Sequence, residues 1–146
     1  MSGRRRPDRH GDQRGSVVVE FALVVPLVVL IVVGVIQYGY HYWAMQTASA
    51  TAREAARRLI VGTDPVCTVA EARERASGPA VGSSVPTVVY AYDNAGNTAE
   101  RGVLVTVTVT LQSLDVGLVP LPSGGLVTQT ASNRVENVPI DPLLCE

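Results

Sequence analysis

The sequence predicts an α+β protein: a long N-terminal transmembrane helix that continues into a small extracytoplasmic domain with a short helix and a three-stranded antiparallel sheet. Residues 17–36 read VVVEFALVVPLVVLIVVGVI, and no formally charged side chain occurs from Phe21 to Ala52. Residues 103–110 read VLVTVTVT, the alternation typical of a half-buried strand. The chain has 146 residues, so 94 follow Ala52 (146 minus 52). These suffice for one small core and are too few for a two-lobed catalytic domain.

The first fifteen residues are predicted to be a basic cytoplasmic leader. All twelve basic residues of the chain are arginines, and five of them precede the apolar run: Arg4, Arg5, Arg6, Arg9 and Arg14. Because Lys and Arg are retained on the cytoplasmic side, we expect the N-terminus inside and the remainder outside. The arginines at 53, 57 and 58 oppose this orientation. Nucleic-acid binding is not expected, since the pI is near 6.1 and no aromatics interleave the basic residues.

Residues 16–43 are predicted to be a single transmembrane helix in contact with membrane lipid. The apolar run has about the 20 residues needed to cross a hydrocarbon core of roughly 30 Å. A cleaved secretory signal is less consistent with the sequence, because the A-x-A match at 48–50 lies a dozen residues beyond Ile36. Four aromatic residues then form a belt at the outer interface: Tyr38, Tyr40, Tyr42 and Trp43.

The helix is predicted to continue through residues 44–61 and to stop near Gly62. Small and apolar residues recur there at three- and four-residue steps, namely Met45, Ala48, Ala52, Ala55 or Ala56, and Leu59. This stripe packs either against the protein's own C-terminal domain or against a helix of another subunit. Glu54 and Arg58 form an i, i+4 pair on the wet side.

Residues 62–146 are predicted to form the small α+β domain. Thr68 and Glu71 match a capping box that opens a short helix ending near Ser77. Strands are expected at residues 86–92, 103–110 and 126–135, the first two joined as a hairpin through the turn-rich loop 93–97. Half of a β-sandwich completed by another subunit is the alternative architecture.

Glu20 is the discordant residue of the apolar run. A carboxylate in a membrane segment is costly and usually marks a function or a partner. The simpler interpretation is that Glu20 lies close enough to the head groups to be tolerated beside Arg14 and the positive end of the helix dipole.

The residues around Glu20 favour the functional interpretation. Residues 14–21 read RGSVVVEF, a basic residue and a Gly before an apolar run with Glu five residues after the Gly. This resembles the class III signal of type IV pilin-like proteins. The segment from Gly15 to Leu59 resembles the TadE family of pilus-assembly pseudopilins, with V-E-F-A, a mid-span Pro26, a Gly-aromatic exit and A-R-E-A-A-R in that order. One departure is Gln37-Tyr38-Gly39, where an acidic-aromatic-Gly exit is common.

The resemblance implies a processing site at Gly15 and Ser16, cut by a prepilin peptidase, and an assembly role for Glu20, Phe21 and Pro26. It implies a non-enzymatic minor pilin or pseudopilin of a tight-adherence (Flp-type IVb) pilus in the bacterial cell membrane. Its partners would be the peptidase, other pseudopilins, the major pilin and the pilus platform proteins. The alternative is an uncleaved single-pass anchor that carries an extracytoplasmic binding module.

The two cysteines, Cys67 and Cys145, are expected to form a disulfide in an oxidising exterior, the alternative being two thiols. A zinc site is not expected, since no His pairs with them. No catalytic constellation is found, so neither an enzyme activity, a cofactor nor a small-molecule substrate is expected. His10 and His41 are interpreted as surface residues. Asp64, Asp93, Asp115 and Asp141 are expected to bond locally in turns.

Overall fold

The computed structural model describes residues 13–81 and 84–138 and confirms the α+β fold class. A long helix comes first, then a short helix, and then three strands with one 3₁₀ turn before the last. The elements are α1 (Gln13–Ile60), α2 (Pro65–Ser77), β1 (Thr87–Tyr92), β2 (Leu104–Gln112), the 3₁₀ turn Pro122–Gly125 and β3 (Leu126–Arg134).

Helix α1 is continuous over 48 residues, with Pro26 in its interior. At about 1.5 Å per residue it is roughly 72 Å long, about twice what a bilayer requires. It therefore passes through both the predicted transmembrane and extension segments without a break.

A glycine ends α1 where the sequence predicts. Gly62 has φ of 91°, a left-handed conformation that only glycine adopts without strain. Its amide donates to the Leu59 carbonyl at 3.4 Å, and the amide of Thr63 donates to the Arg58 carbonyl at 3.1 Å. These two bonds are the pattern of a Schellman motif, which satisfies the last carbonyls of the helix.

Helix α2 begins three residues before the predicted start, and the capping-box prediction for Thr68 is wrong. Asp64 is the cap, accepting hydrogen bonds from the amides of Val66 and Cys67 at 2.9 and 3.0 Å. Pro65 takes the first helical position, where its missing N–H costs nothing. Thr68 Oγ1 instead donates to the Asp64 carbonyl at 2.8 Å.

The sheet has the order β1-β2-β3, with both pairs antiparallel. The alternation predicted for β2 is confirmed, since Val105, Val107 and Val109 are buried. On β3 the exposed residues include Thr128, Thr130, Ser132 and Arg134. The outer face carries three cross-strand hydroxyl pairs, at 2.9 to 3.3 Å: Thr106–Ser132, Thr108–Thr130 and Thr110–Thr128.

The inner face of the sheet packs against both helices. Helix α1 supplies a buried stripe of small and apolar side chains: Ala44, Ala48, Ala52, Ala55, Ala56 and Leu59. Helix α2 adds Ala72 and Ala76. The predicted stripe therefore packs against the protein's own domain. The sheet is covered within the chain, without the second half-sandwich of the alternative architecture.

Charged side chains link the two helices along one edge of this core. Glu54 pairs with Arg57 at 2.8 Å and with Arg58 at 3.0 Å. Arg58 also contacts Glu71 of α2, which pairs with Arg75 at 2.7 Å. The hydrogen bonds from Arg57 and then Arg58 lower the pKa of Glu54 from 4.5 to about 2. The predicted Glu54–Arg58 pair is thus one of four ion pairs in a chain of five residues that connects α1 and α2.

Candidate functional site

The N-terminal half of α1 is bare. From Val17 to Val32 every side chain is exposed except that of Val25, which is half-buried. Within the described residues α1 is the one helix long and apolar enough to cross a membrane. Such an uncovered apolar surface requires lipid or other apolar helices around it. The structure is consistent with a single-pass membrane protein.

Glu20 lies on this bare surface. Its side chain shares one exposed patch with Val17, Phe21 and Val24. Within the described residues it makes neither a hydrogen bond nor an ion pair. An unpaired carboxylate among apolar side chains is costly in a bilayer. It therefore has the properties of a group whose partner comes from elsewhere.

The predicted processing residues lie in the first turn of α1. Gly15 is exposed, and a methyl group added to it would meet no heavy atom within 4 Å. Glycine in a helix interior costs about 0.5–1 kcal/mol relative to alanine. The protein's own packing thus does not account for a glycine at this position.

The structure brings together only part of the predicted set. Glu20 and Phe21 are neighbours on one surface, with Gly15 and Ser16 about one turn before them and Pro26 about one turn beyond. Cys67 is far along the chain in α2, and its thiol is not free. Cys145 lies outside the described residues, so the pairing of the two cysteines stays a prediction.

A polar cluster absent from the predicted set joins α1 to the loop after β2. Gln37, Tyr38 and His41 on α1 meet residues 113–121; we call this the helix–loop junction. Gln37 is fully buried and donates from Nε2 to Val119 O at 2.9 Å and to Asp115 Oδ1 at 3.2 Å. Tyr38 donates from its hydroxyl to Pro120 O at 2.8 Å. The junction holds the loop against the outer end of the apolar run.

The interpretation of His41 as a surface residue is wrong. Its side chain is buried, and Nδ1 lies 2.8 Å from the hydroxyl of Ser113. That hydroxyl lies 3.0 Å from the Gly125 carbonyl, to which it donates. Since a serine hydroxyl has a single proton, Ser113 Oγ accepts from His41, whose Nδ1 carries the hydrogen. A chain of hydrogen bonds therefore runs from α1 through Ser113 to the 3₁₀ turn.

A comparison with known families found a match for most of α1. Residues 15–57 match the family model described as TadE-like protein. This segment of α1 is similar to that family. The resemblance predicted from the sequence is confirmed over that segment. No curated protein and no solved structure matches the chain.

The TadE-like segment comprises most of α1 and stops three residues before the helix ends. It includes the bare surface, Glu20 and the alanines of the stripe that packs under the sheet; Leu59, α2 and the three strands lie outside it. The match supports a membrane protein associated with a tight-adherence (Tad) pilus.

The spacing of Gln37 and His41 along α1 is the sequence signal by which their burial could be predicted. Gln37 and His41 continue the stripe of Ala44, Ala48 and Ala52 toward the N-terminus at three- and four-residue steps. A polar side chain in register with a buried stripe indicates a buried hydrogen bond. The partners in the loop could not be read from the sequence, because they lie 72 to 82 residues away.

Proposed function

We propose that this TadE-like protein is a minor pilin or pseudopilin that takes part in assembly of a tight-adherence (Flp-type IVb) pilus. In this proposal a prepilin peptidase cuts between Gly15 and Ser16, and the protein has no catalytic activity of its own. The bare half of α1 is the surface by which the subunit lies in the membrane and meets neighbouring helices. The outer half of α1 carries the domain.

The observation that carries the proposal is the carboxylate of Glu20 on a bare helix, where no group from residues 13–81 or 84–138 pairs with it. Cleavage after Gly15 would make Ser16 the first residue and Glu20 the fifth. The new N-terminal amine, on Ser16 of a neighbouring subunit, is a cation that meets Glu20 when the two helices are offset by about one turn, roughly 6 Å. Pairing with it favours the charged carboxylate and removes the cost of an isolated charge. The pair would also fix the axial position of one subunit against the next.

The covered stripe supports the same assignment of surfaces. Ala48, Ala52 and Ala56 are fully buried under the sheet and are not available to another subunit. The apolar surface of α1 that stays open to helices of other subunits is therefore the bare segment, where Phe21 is exposed and Pro26 interrupts the backbone hydrogen bonds.

The proposed orientation places the N-terminus in the cytoplasm and the domain outside the membrane. The basic leader is then on the side where Arg is retained, within reach of a cytoplasmic-side peptidase. The proposed partners are that peptidase, the other pseudopilins, the major pilin and the platform proteins. Their energy source would be a separate cytoplasmic ATPase.

Piliation of cells that express Glu20→Gln in place of the wild-type chain tests this role. We expect the variant to insert into the membrane normally and to abolish or strongly reduce pili counted by electron microscopy. Glu20→Asp keeps the carboxylate and should restore most pili. Leu23→Ala, at another exposed site of the same helix, should be neutral. Wild-type piliation by Glu20→Gln would overturn the proposal.

A further inference from the structure

The loop between β2 and the 3₁₀ turn reaches back along α1 into the apolar run. A Cβ at Gly34 would lie 3.5 Å from Cγ2 of Val119. Gly34 is two residues before Ile36, the end of that run. At about 1.5 Å per residue, this contact lies roughly 3 Å inside the outer end of the hydrocarbon-spanning segment.

The tip of this loop is apolar and uncovered. Val116 is 51% exposed and Leu118 is 59% exposed, on either side of Gly117, whose φ of 70° turns the chain. Residues 114–121 read LDVGLVPL and contain one charged residue. Two large aliphatic side chains at a loop tip would be unfavourable in water, and they lie beside a segment that is built for lipid.

The single charge of the loop, Asp115, is exposed, but its carboxylate is hydrogen-bonded within the protein. The Asp115 carboxylate accepts from the Gln37 amide at 3.2 Å and from the Gly117 amide at 2.9 Å. The second amide hydrogen of Gln37 is taken by the Val119 carbonyl. The groups that would resist transfer toward lipid are thus hydrogen-bonded at the helix–loop junction.

The aromatic belt lies at the same level. Tyr38 is held by Pro120 of the loop, and Tyr42 and Trp43 are exposed one turn farther out. Tyrosine and tryptophan favour the boundary between head groups and hydrocarbon. The residues that flank the loop tip, Asp115 and Val119, contact α1 at Gln37 and Gly34, on the membrane side of Tyr38.

We propose that residues 114–121 are a second membrane contact, in which Val116 and Leu118 insert into the outer edge of the lipid hydrocarbon. The ligand is the bilayer itself. A single helix can rotate and tilt in a membrane, whereas a helix and a loop bound to it through Gln37 fix the orientation of the domain. The contact is independent of whether the leader is cleaved.

Fluorescence quenching by brominated lipid tests this contact. Trp43 is the only tryptophan, so Trp43→Phe gives a silent background for the full chain reconstituted in vesicles. Leu118→Trp and, separately, Val116→Trp then report the loop. Val89→Trp is the matched control, because Val89 is 52% exposed on the outer face of β1. Val89 pairs with Thr108, which lies four residues before Gln112, the end of β2 next to the junction. Leu30→Trp reports the span.

With bromine near the head-group end of the acyl chains, we expect the loop tryptophans to be quenched about twofold or more over the Val89→Trp control. Leu30→Trp should be quenched in vesicles brominated deeper in the chain. The proposal is overturned if both loop variants are quenched no more than Val89→Trp while Leu30→Trp is quenched, because the loop then lies in water. It is also overturned if Leu30→Trp is not quenched, because the span itself is then outside the bilayer.

Discussion

The side-chain amide of Gln37 lies 3.2 Å from the carboxylate of Asp115, although 78 residues separate them. This bond attaches the loop after β2 to α1 at the outer end of the apolar run. At the other end of the domain, the Ile60 carbonyl accepts from the amides of Glu136 and Asn137 at 3.0 and 2.8 Å. The domain is therefore fixed on α1 at two levels, 23 residues apart (60 minus 37), with the alanine stripe between them.

Replacement of Gln37 by leucine is expected to loosen the junction. The change removes the hydrogen bonds to Asp115 and Val119, which are part-buried, and leaves both acceptors without this donor. We expect a loss of about 1–3 kcal/mol in the free energy of unfolding of the domain in detergent. Amide hydrogen exchange should also rise in residues 114–121. Gln46→Leu, at an exposed position on the same helix, is the control and should change neither quantity.

Ser113→Ala is expected to destabilise the domain through His41. Without the hydroxyl, the buried Nδ1–H of His41 has no acceptor, at a cost of about 1–3 kcal/mol. Ser132→Ala removes a hydroxyl from the exposed outer face, where water replaces it, and should cost less than about 0.5 kcal/mol. Equal unfolding midpoints for the two variants in urea titrations would show that the His41–Ser113 bond does not stabilise the fold.

The sequence was sufficient for the elements whose periodicity is uninterrupted. The apolar run, the alternation of β2 and the steps of the alanine stripe each repeat often enough to specify an element and its buried face. Gly62 ended α1 because a left-handed residue is required there.

The start of α2 and the junction could not be derived in the same way. Two capping patterns lie four residues apart, and Asp64-Pro65 supplies both a side-chain acceptor and a residue suited to the first helical position, so it prevails over Thr68. His41 among aromatics looked exposed, because its acceptor, Ser113, comes from a loop without a periodic pattern. Tertiary hydrogen bonds of this kind have no local signal.

The packing of the stripe predicts a difference between two alanines of α1. Ala48 is fully buried against the sheet, whereas Ala50 is exposed. Ala48→Leu should lower the free energy of unfolding of the purified subunit by about 1–3 kcal/mol through overpacking. Ala50→Leu should leave it nearly unchanged. If the stripe served only contacts between subunits, the two variants would have the same stability as isolated chains.

The ionic chain predicts an acid dependence of stability. Glu54 lies 18 residues beyond Ile36, outside the span, and its pKa is lowered from 4.5 to about 2 by Arg57 and Arg58. A lowered folded-state pKa gives stability that is present above pH 4.5 and is lost as the pH falls toward 2. The wild type should therefore exceed Glu54→Gln by up to about 1 kcal/mol near neutral pH, and the difference should vanish near pH 2.

Urea unfolding at a series of pH values measures this difference. Glu74→Gln is the control, since Glu74 is exposed on α2 and its side chain forms no ion pair within the described residues. Its stability should follow the wild type at every pH. A constant gap between wild type and Glu54→Gln down to pH 2 would contradict the lowered pKa.

The proposed cleavage of α1 after Gly15 is tested by the intact mass of the chain purified from membranes of cells that contain the prepilin peptidase. We expect the wild type to have lost residues 1–15 and to begin at Ser16. Gly15→Leu should keep them, and Gly39→Leu, at an equally open helical glycine, should be cut normally. If the wild type and both variants all retain residues 1–15 and differ in mass only by the substituted side chain, the proposed cleavage is wrong. The protein is then an uncleaved membrane anchor.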